Sequence, residues 1–273
     1  MSSLRGIWSA VPTPVDSRFA PDHERAIAFY RELLAGGCDG INLLGTTGQA
    51  MSFDVGTRRA LMKAVAQSDL PNERVMCGTG AASLADTIAL TRMACDCDFA
   101  AALVMPPFFY RDASDDGILR FFERLFDATP GTVLLYNFPR MSGITFHLEL
   151  LERLLAEFPG RIVGIKDSSN DRDYQRTVIA RHPELAVFPG SEGYLLEALR
   201  DGAAGCISGS VALWPQLAQA VCRERGAEDG SDLSAKRASV EGAPLIPAMH
   251  ARIAQARGDD EWRRVVPPLT AAN

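Results

Sequence analysis

TVLLYNFPRMSGITFHLELLERLLAEFPGRIVGIK, the stretch from residue 132 to residue 166, decides the fold class. It begins and ends with short apolar runs that have the length of buried strands, and the segment between them, near 147–158, is amphipathic, as expected of a helix. A strand, a helix and a second strand in this order form a unit in which the two strands lie parallel. The stretch therefore predicts an α/β fold with a parallel sheet.

The same alternation continues on both sides of this stretch. Eight apolar runs are predicted strands: Ile7–Val11, Gly40–Leu44, Arg74–Gly78, Ala101–Met105, Thr132–Asn137, Ile162–Lys166, Ala186–Pro189 and Gly205–Ser208. Predicted helices lie near 22–36, 54–68, 83–96, 115–128, 147–158, 171–182 and 193–201, and Trp214–Arg225 is the eighth. Eight parallel strands with crossover helices close most economically as a (β/α)8 TIM barrel, and the glycine-rich first turn of doubly wound nucleotide-binding sheets is missing.

The pattern changes after the eighth predicted helix. Gly226–Asp232 is a short acidic link, and further helices are predicted near 233–241 and 244–257. We therefore predict a barrel over residues 1–225 and a small C-terminal helical extension over residues 226–273.

Length and charge limit the classes of function. The chain has 273 residues, which fits one barrel of about 250 residues. Its formal net charge is −6, so a basic surface for nucleic acid is not expected. No run approaches the roughly 18 to 20 apolar residues that span a bilayer, and the N-terminus lacks the apolar core of a secretion signal. We predict a cytoplasmic protein that binds a small molecule, and neither nucleic acid nor a membrane.

The cysteines and histidines do not suggest a metal site. Six cysteines lie mostly inside apolar stretches, which is typical of reduced thiols, and only Cys95 and Cys97 are close together in sequence. The four histidines are scattered without the spacing of paired ligands. We predict no metal and no cofactor.

Barrels of this kind place their reactive groups at the C-terminal ends of strands. The sixth predicted strand ends with Lys166, at the edge of an apolar core. Burial disfavours the charged form of an amine and leaves neutral amine that can attack a ketone carbonyl to form a Schiff base. The alternative is a lysine that extends along the surface into solvent, and position alone favours that alternative.

Two other strand ends carry groups that suit the same chemistry. Tyr136, in the fifth predicted strand, could move protons to and from an iminium, although a core tyrosine with a local partner fits equally well. GTTGQ, residues 45–49, follows the second strand and brings Thr46, Thr47 and backbone N–H groups into a turn that could hold a carboxylate. Alone, GTTGQ also fits an ordinary turn, and it lacks the ending of a phosphate-binding loop.

Together, these motifs are far more specific than each alone. GTTGQ at 45–49, YNFP at 136–139 and GIKDSS at 164–169 occur here in the order and spacing of one family. The chain closely resembles the pyruvate-dependent family of dihydrodipicolinate synthase and N-acetylneuraminate lyase, from about residue 5 to at least residue 215, including VPTP at 11–14 and GSE at 190–192. The resemblance implies a class I lyase that forms a Schiff base with a 2-keto acid, and a homotetramer built as a dimer of dimers.

The resemblance also implies roles for particular residues. Lys166 would form the Schiff base, and Tyr136 would move protons and contact the substrate carboxylate. Thr46 and Thr47 match the pair that holds the pyruvate carboxylate and relays protons to the tyrosine. Ile207 matches the position whose backbone carbonyl lines the pyruvate pocket.

Two regions of the resemblance concern the second substrate and the assembly. Tyr110 falls near the second tyrosine that the synthases lend across a dimer contact. Gly190, Ser191 and Glu192 follow the seventh predicted strand, where the lyases that act on sugar acids bind polyol hydroxyls. The alternative for Ser191 and Glu192 is a helix N-cap followed by an acidic first turn, which needs no substrate.

One departure from the family bears on the substrate. Five residues after the tyrosine, the synthases have an arginine that binds the carboxylate of aspartate semialdehyde, whereas this chain has Met141 there and Arg140 one place earlier. A thioether cannot bind a carboxylate, which argues against synthase activity. We therefore predict an aldolase that joins or cleaves pyruvate and an aldehyde, with a substrate of the 2-keto-3-deoxy sugar acid type.

Four other functions stay open from the sequence. Two use the same chemistry: dihydrodipicolinate (4-hydroxy-tetrahydrodipicolinate) synthase and a dehydratase of a deoxy-keto acid. The other two are a non-catalytic pyruvate-binding sensor and a metal-dependent class II aldolase. The argument against a sensor is the intact set of Lys166, Tyr136 and the Thr46-Thr47 pair, because a binding protein needs no amine nucleophile.

Overall fold

The protein is described by a computed structural model that covers residues 4–224, 230–241 and 244–272. Its central sheet contains β1 (Gly6–Ala10), β2 (Gly40–Leu43), β3 (Val75–Gly78), β4 (Ala101–Val104), β5 (Val133–Asn137), β6 (Ile162–Asp167), β7 (Ala186–Pro189) and β8 (Gly205–Ser208). The strand order is β7-β6-β5-β4-β3-β2-β1-β8, and all of these ladders are parallel.

The sheet closes into a nearly complete barrel. β1 pairs with both β2 and β8, and the gap between β7 and β8 is bridged where the Ala204 N–H donates to the Val187 carbonyl at 2.9 Å. The predicted TIM barrel is confirmed, and each strand boundary lies within one residue of its prediction.

Nine helices of the described chain belong to the barrel region: α1 (His23–Ala35), α2 (Val55–Ala66), α3 (Leu84–Asp96), α4 (Asp115–Ala128), α5 (Pro139–Ser142), α6 (Leu148–Glu157), α7 (Arg172–Arg181), α8 (Leu195–Asp201) and α9 (Pro215–Glu224). The sequence does not predict α5, because four residues are too few to show a helical period. Pro139 starts this turn, where its missing N–H is not needed, and Gly143 ends it with a φ of 73°.

The strands alternate their side chains between the barrel interior and the surrounding helices. In β5, Leu134 and Tyr136 belong to the interior cluster, whereas Val133 and Leu135 pack in the outer core against the helices. In β6, Ile165 packs in the outer core, so the next residue along the strand is directed to the interior. This alternation positions the candidate active site.

The predicted C-terminal extension contains α10 (Ser231–Ala238) and α11 (Leu245–Arg257). It packs on the barrel, since Arg257 pairs with Glu32 at 2.6 Å and Arg237 lies 3.8 Å from Glu192. The predicted boundary between residues 225 and 226 lies outside the described residues.

Two further observations concern only the described part of the chain. None of its helices is both long and apolar enough to cross a bilayer. No three His, Cys, Asp or Glu side chains within these ranges gather as metal ligands. Cys95 lies in the last turn of α3, and Cys97 follows directly after that helix.

Candidate active site

Lys166 and Tyr136 face each other inside the barrel. They are paired residues in the ladder between β5 and β6, and both side chains lie on the interior side of their strands. The Lys166 Nζ is 4.4 Å from the centre of the Tyr136 ring. Each residue is only 4% exposed, so the lysine does not extend into solvent. The ladder therefore brings a buried amine and a phenol together by register alone.

The turn after β2 adds the two threonines to this pair. The Thr46 hydroxyl is 3.3 Å from the Tyr136 hydroxyl, within hydrogen-bond distance. The Thr47 hydroxyl donates to the Ala10 carbonyl at 2.7 Å, which fixes the turn to the end of β1. The turn is flanked by two residues with positive φ that are not glycine, Leu44 at 53° and Gln49 at 55°. Such backbone strain persists where the surroundings enforce it and is common at functional sites.

The turn also presents backbone donors. The Gly45 and Thr46 carbonyls accept hydrogen bonds from the N–H groups of Ala50 and Gln49. Within the described residues, the N–H groups of Thr46 and Thr47 donate to no backbone carbonyl. Successive donors of this kind form a concave site for an anion such as a carboxylate.

A second pair of residues lies directly behind the amine and the phenol. Asn137 and Asp167 are paired in the same ladder, one residue further along. The Asp167 carboxylate accepts hydrogen bonds from Asn137 at 2.6 Å, Gln175 at 2.7 Å and Ser169 at 2.8 Å. Burial raises the pKa of the Asp167 carboxyl, and the three hydrogen bonds act in the opposite direction. These contacts fix the ends of β5 and β6, and thereby the positions of the residues that face inward.

Sequence reasoning missed this outer pair. Asn137 and Asp167 stand next to the predicted site residues in YNFP and GIKDSS. Polar residues at the same place on two neighbouring strands are a signal that could have revealed them, because the ends of parallel strands lie together.

The three residues after β7 have local roles in the structure. The Gly190 N–H donates to the Asp167 carbonyl at 2.7 Å, and a Cβ at Gly190 would lie 2.0 Å from the Ser168 hydroxyl. The Ser191 hydroxyl accepts from the Gly193 N–H at 3.2 Å and caps a short 3-10 turn, as its alternative interpretation predicts.

Glu192 is buried beside the barrel wall. It is 1% exposed and accepts hydrogen bonds from the Ser208 hydroxyl at 2.5 Å and the Trp214 indole N–H at 3.3 Å. Arg237 of α10 lies 3.8 Å away and balances its charge. The carboxylate is therefore occupied by protein partners and anchors the C-terminal extension.

Ile207 and Tyr110 lie in contrasting places. Ile207 is fully buried and belongs to the interior cluster of the barrel. Tyr110 is 69% exposed and contacts Phe109 edge to face, with ring centres 5.3 Å apart. Within one chain, the structure does not bring Tyr110 to Lys166 and Tyr136.

A cavity of about 270 Å³ opens beside Thr46 and Tyr136. Most of its wall is apolar and includes Leu103, Met105, Phe108, Met141, Ile246 and Leu269. Arg140 does not line this cavity; it is exposed, and its guanidinium lies 5.8 Å from the centre of the Phe138 ring. Arg140 therefore does not take the place of the arginine that is missing at Met141.

The C-terminal extension closes one side of the cavity, which the sequence did not predict. The Gln49 side-chain carbonyl accepts from the Val266 N–H at 2.7 Å, and the Gln49 amide lies 3.5 Å from His250 Nε2. His250 Nδ1 is 2.8 Å from the Trp262 carbonyl, which can only accept, so Nδ1 carries the proton. Through these contacts, the last residue of GTTGQ holds the segment that contributes Pro268 to the cavity wall.

Comparison with known proteins identifies the family of this chain. Residues 3–255 match the dihydrodipicolinate synthetase family. The chain belongs to this family. It is 38% identical to an uncharacterized DapA-like lyase of Chloroflexus aurantiacus, over 81% of this chain and 75% of the relative. A putative 2-dehydro-3-deoxy-D-gluconate aldolase, YagE of Escherichia coli, is 27% identical over 77% of this chain and 72% of the relative.

A solved structure supports the same family membership. The crystal structure of dihydrodipicolinate synthase from Agrobacterium tumefaciens superposes with a TM-score of 0.93 and 28% identity, covering 99% of this chain and 94% of that one. As a member of the dihydrodipicolinate synthetase family, the chain is a lyase of the pyruvate-dependent, Schiff-base-forming type. The names of its relatives include a synthase and a sugar-acid aldolase, so the second substrate has to be argued from the cavity.

Proposed function

We propose that this protein is a class I aldolase that joins pyruvate to an aldehyde, or cleaves the product, through a Schiff base on Lys166. The amine adds to the pyruvate ketone and water leaves, which gives an iminium. The iminium draws electrons from C3, and loss of a C3 proton gives an enamine. The C3 carbon then attacks the aldehyde carbonyl, the new alkoxide takes a proton, and water releases a 4-hydroxy-2-oxo acid from the lysine.

Tyr136 is the proton carrier in this proposal. Its ring adjoins the Lys166 amine, and its hydroxyl is within hydrogen-bond distance of Thr46. The phenol can therefore exchange protons with the carbinolamine and the alkoxide, and Thr46 can pass protons to and from it. In this proposal, the backbone N–H groups of Thr46 and Thr47 hold the pyruvate carboxylate, which is supported by their lack of a backbone acceptor in the described residues.

The register pairing of a buried lysine with a buried tyrosine is the observation that carries the proposal. A pyruvate-binding sensor has no use for an amine nucleophile at this position, and a dehydratase of a deoxy-keto acid would use the same lysine. Synthase activity has less support, because Met141 lines the cavity while Arg140 is directed elsewhere. The 2-keto-3-deoxy sugar acid stays a prediction, and the occupied carboxylate of Glu192 offers it no support.

Reductive trapping tests the proposal sharply, because the chain contains only three lysines, Lys63, Lys166 and Lys236. Borohydride with pyruvate is expected to add one pyruvate-derived group to Lys166, measured by peptide mass spectrometry. Lys63 and Lys236 are exposed and serve as internal controls for non-specific labelling. Equal labelling of all three lysines, or labelling that survives in Lys166→Met, would contradict the mechanism.

We further propose a homotetramer, a dimer of dimers, in the cytoplasm. The exposed pair Phe109 and Tyr110 supports a contact surface between subunits, through which Tyr110 would reach the partner's site. The cytoplasmic location is supported by the buried thiols of Cys38, Cys77 and Cys206, which suit a reducing compartment.

A further inference from the structure

We propose that the second substrate is an aldehyde whose substituent is uncharged and apolar, either a single aromatic ring or a branched alkyl group. This aldehyde would replace the polyhydroxy aldehyde that a 2-keto-3-deoxy sugar acid implies. The inference rests on the proposed aldolase function and names the class of its second substrate. It follows from the composition, the size and the position of the cavity beside Tyr136.

The composition of the cavity wall is the first argument. Leu103, Met105 and Phe108 lie at the end of β4 or just after it, Met141 lies in α5, and Ile246 belongs to α11 of the C-terminal extension. No Asp, Glu, Lys, Arg or His of the described residues lines the cavity. An aldehyde with a carboxylate or several hydroxyls would lose its hydration there with no charged partner and few polar partners in return.

The few polar groups of the wall are the second argument. Thr46 and Tyr136 are grouped at the end that adjoins Lys166, where the reacting carbonyl has to lie. The side chain of Gln49 also reaches the wall, but its carbonyl is held by the Val266 N–H and its amide faces His250. Ser52, an exposed residue, also borders the cavity. The cavity is therefore polar at the reacting end, and the rest of its wall is apolar apart from Ser52 and Gln49.

The size of the cavity is the third argument. An apolar cavity of about 150 Å³ is enough to bind benzene. The cavity of about 270 Å³ therefore has room for one ring together with part of the pyruvate unit. Met105 and Met141 also have flexible, polarizable side chains, which adapt to rings and to branched chains alike.

A competition among aldehydes tests the inference. With pyruvate fixed, the value of kcat/KM is measured for benzaldehyde, 3-methylbutanal, D-glyceraldehyde and aspartate 4-semialdehyde, with the 4-hydroxy-2-oxo acid products identified by mass spectrometry. We expect benzaldehyde or 3-methylbutanal to exceed both polar aldehydes by at least about tenfold, since one apolar group in a matched pocket is worth roughly 10- to 200-fold.

Two neighbouring variants sharpen the test. Met141→Arg places a charge in the cavity wall and is expected to lower kcat/KM for the apolar aldehydes by at least about tenfold. Met141→Leu keeps the apolar wall and should retain the preference. Arg140→Met is the matched control, because it removes a charge from the adjacent residue, whose side chain lies outside the cavity. This control is expected to leave the order of the aldehydes unchanged.

Trapping of pyruvate by borohydride, carried out in parallel, distinguishes failure of the aldehyde inference from failure of the proposed Schiff-base function. If Lys166 is trapped but a polar aldehyde is preferred, or no apolar aldehyde reacts, the inference is overturned and the Schiff-base function stands. If Lys166 is not trapped, the proposed function fails, and the inference fails with it.

Discussion

At the scale of single residues, the register between β5 and β6 decides which side chains face the barrel interior. Tyr136 and Lys166 are opposite each other in the ladder, and the next pair, Asn137 and Asp167, is directed to the other side of the sheet. One set can therefore face the substrate while the other is tied to α7 through Gln175. A shift of one residue in this ladder would exchange the two sets, because successive side chains of a strand lie on opposite faces.

Removing the phenol hydroxyl tests the role of Tyr136. In Tyr136→Phe, the exchange of pyruvate methyl protons with D2O, followed by NMR, is expected to slow by about 10²- to 10⁴-fold, the usual contribution of a positioned acid or base. Exchange needs only pyruvate, so the result does not depend on the aldehyde. Thr46→Val alone should slow the exchange less than Tyr136→Phe does. Adding Thr46→Val to Tyr136→Phe should slow the exchange little further, because the two hydroxyls act through one hydrogen bond.

Tyr30→Phe is the matched control for this experiment. The Tyr30 hydroxyl donates to the Pro12 carbonyl in the outer core, so its loss is expected to affect stability and leave proton exchange intact. Exchange at the wild-type rate in Tyr136→Phe would assign the proton transfer to another group.

At the scale of elements, the C-terminal extension completes the site. α11 brings His250 against Gln49, and the segment after α11 brings Val266 to the same side chain. These contacts join the turn after β2 to a part of the chain more than 200 residues away. The extension is therefore part of the cavity wall as well as a cover for the barrel.

His250 makes this junction sensitive to pH. Burial lowers the pKa of His250, against the effect of its hydrogen bond to the Trp262 carbonyl. Below about pH 6.5, the unfolded chain takes up the proton and the folded chain resists it, so stability falls as the pH falls. The loss is at most about 1.4 kcal/mol per pH unit for one group.

Urea unfolding at pH 7.5 and pH 5.5 measures this effect. The wild-type protein is expected to lose more stability than His250→Gln over this interval, because the variant lacks the titrating ring. The other histidines are common to both proteins and cancel in the comparison. An equal loss in both proteins would show that His250 does not contribute to the pH dependence.

At the scale of the whole molecule, the barrel has two separate cores. The smaller lies inside the strands and ends at Tyr136, and the larger lies between the strands and the helices. Cys38 and Cys77 belong to the larger core and are fully buried. Burial raises the pKa of each of these thiols to about 12, so little thiolate exists at neutral pH.

Thiol labelling reports on the opening of this outer core. At pH 8, Cys38 and Cys77 are expected to react with iodoacetamide only as fast as the barrel opens globally, because both thiols are covered by packed helices. Cys97, half-buried after α3, should react much earlier. Mass spectrometry of the labelled peptides gives the order. Labelling of Cys38 as early as Cys97 would show local opening near the start of β2.

Much of the fold and the centre of the site could be predicted from sequence. Apolar runs at regular intervals gave the eight strands within one residue, since strand burial depends on local patterning. The parallel barrel then brings all strand ends to one mouth, so GTTGQ, YNFP and GIKDSS had to meet. Their meeting is visible in the contacts of Lys166 and Thr46 with Tyr136.

The rest of the site could not be predicted from sequence, because it depends on loops and long-range contacts. Side chains in loops follow no periodic direction. Glu192 could equally have faced a substrate, and only packing against Ser208 and Trp214 shows that it is occupied. Met141 and Arg140 are adjacent in α5, and the direction of that turn decides which of them borders the cavity.

The sequence by itself therefore determined the barrel, because periodicity and strand-end convergence are properties of a parallel barrel. The lysine chemistry was predicted from the resemblance of its motifs to one family. Only the tertiary structure decided that Lys166 is buried against Tyr136 and that the neighbouring cavity is apolar. The physical reason is that the cavity wall is assembled from β4, β5 and the distant C-terminal segment, and their meeting depends on packing across the whole chain.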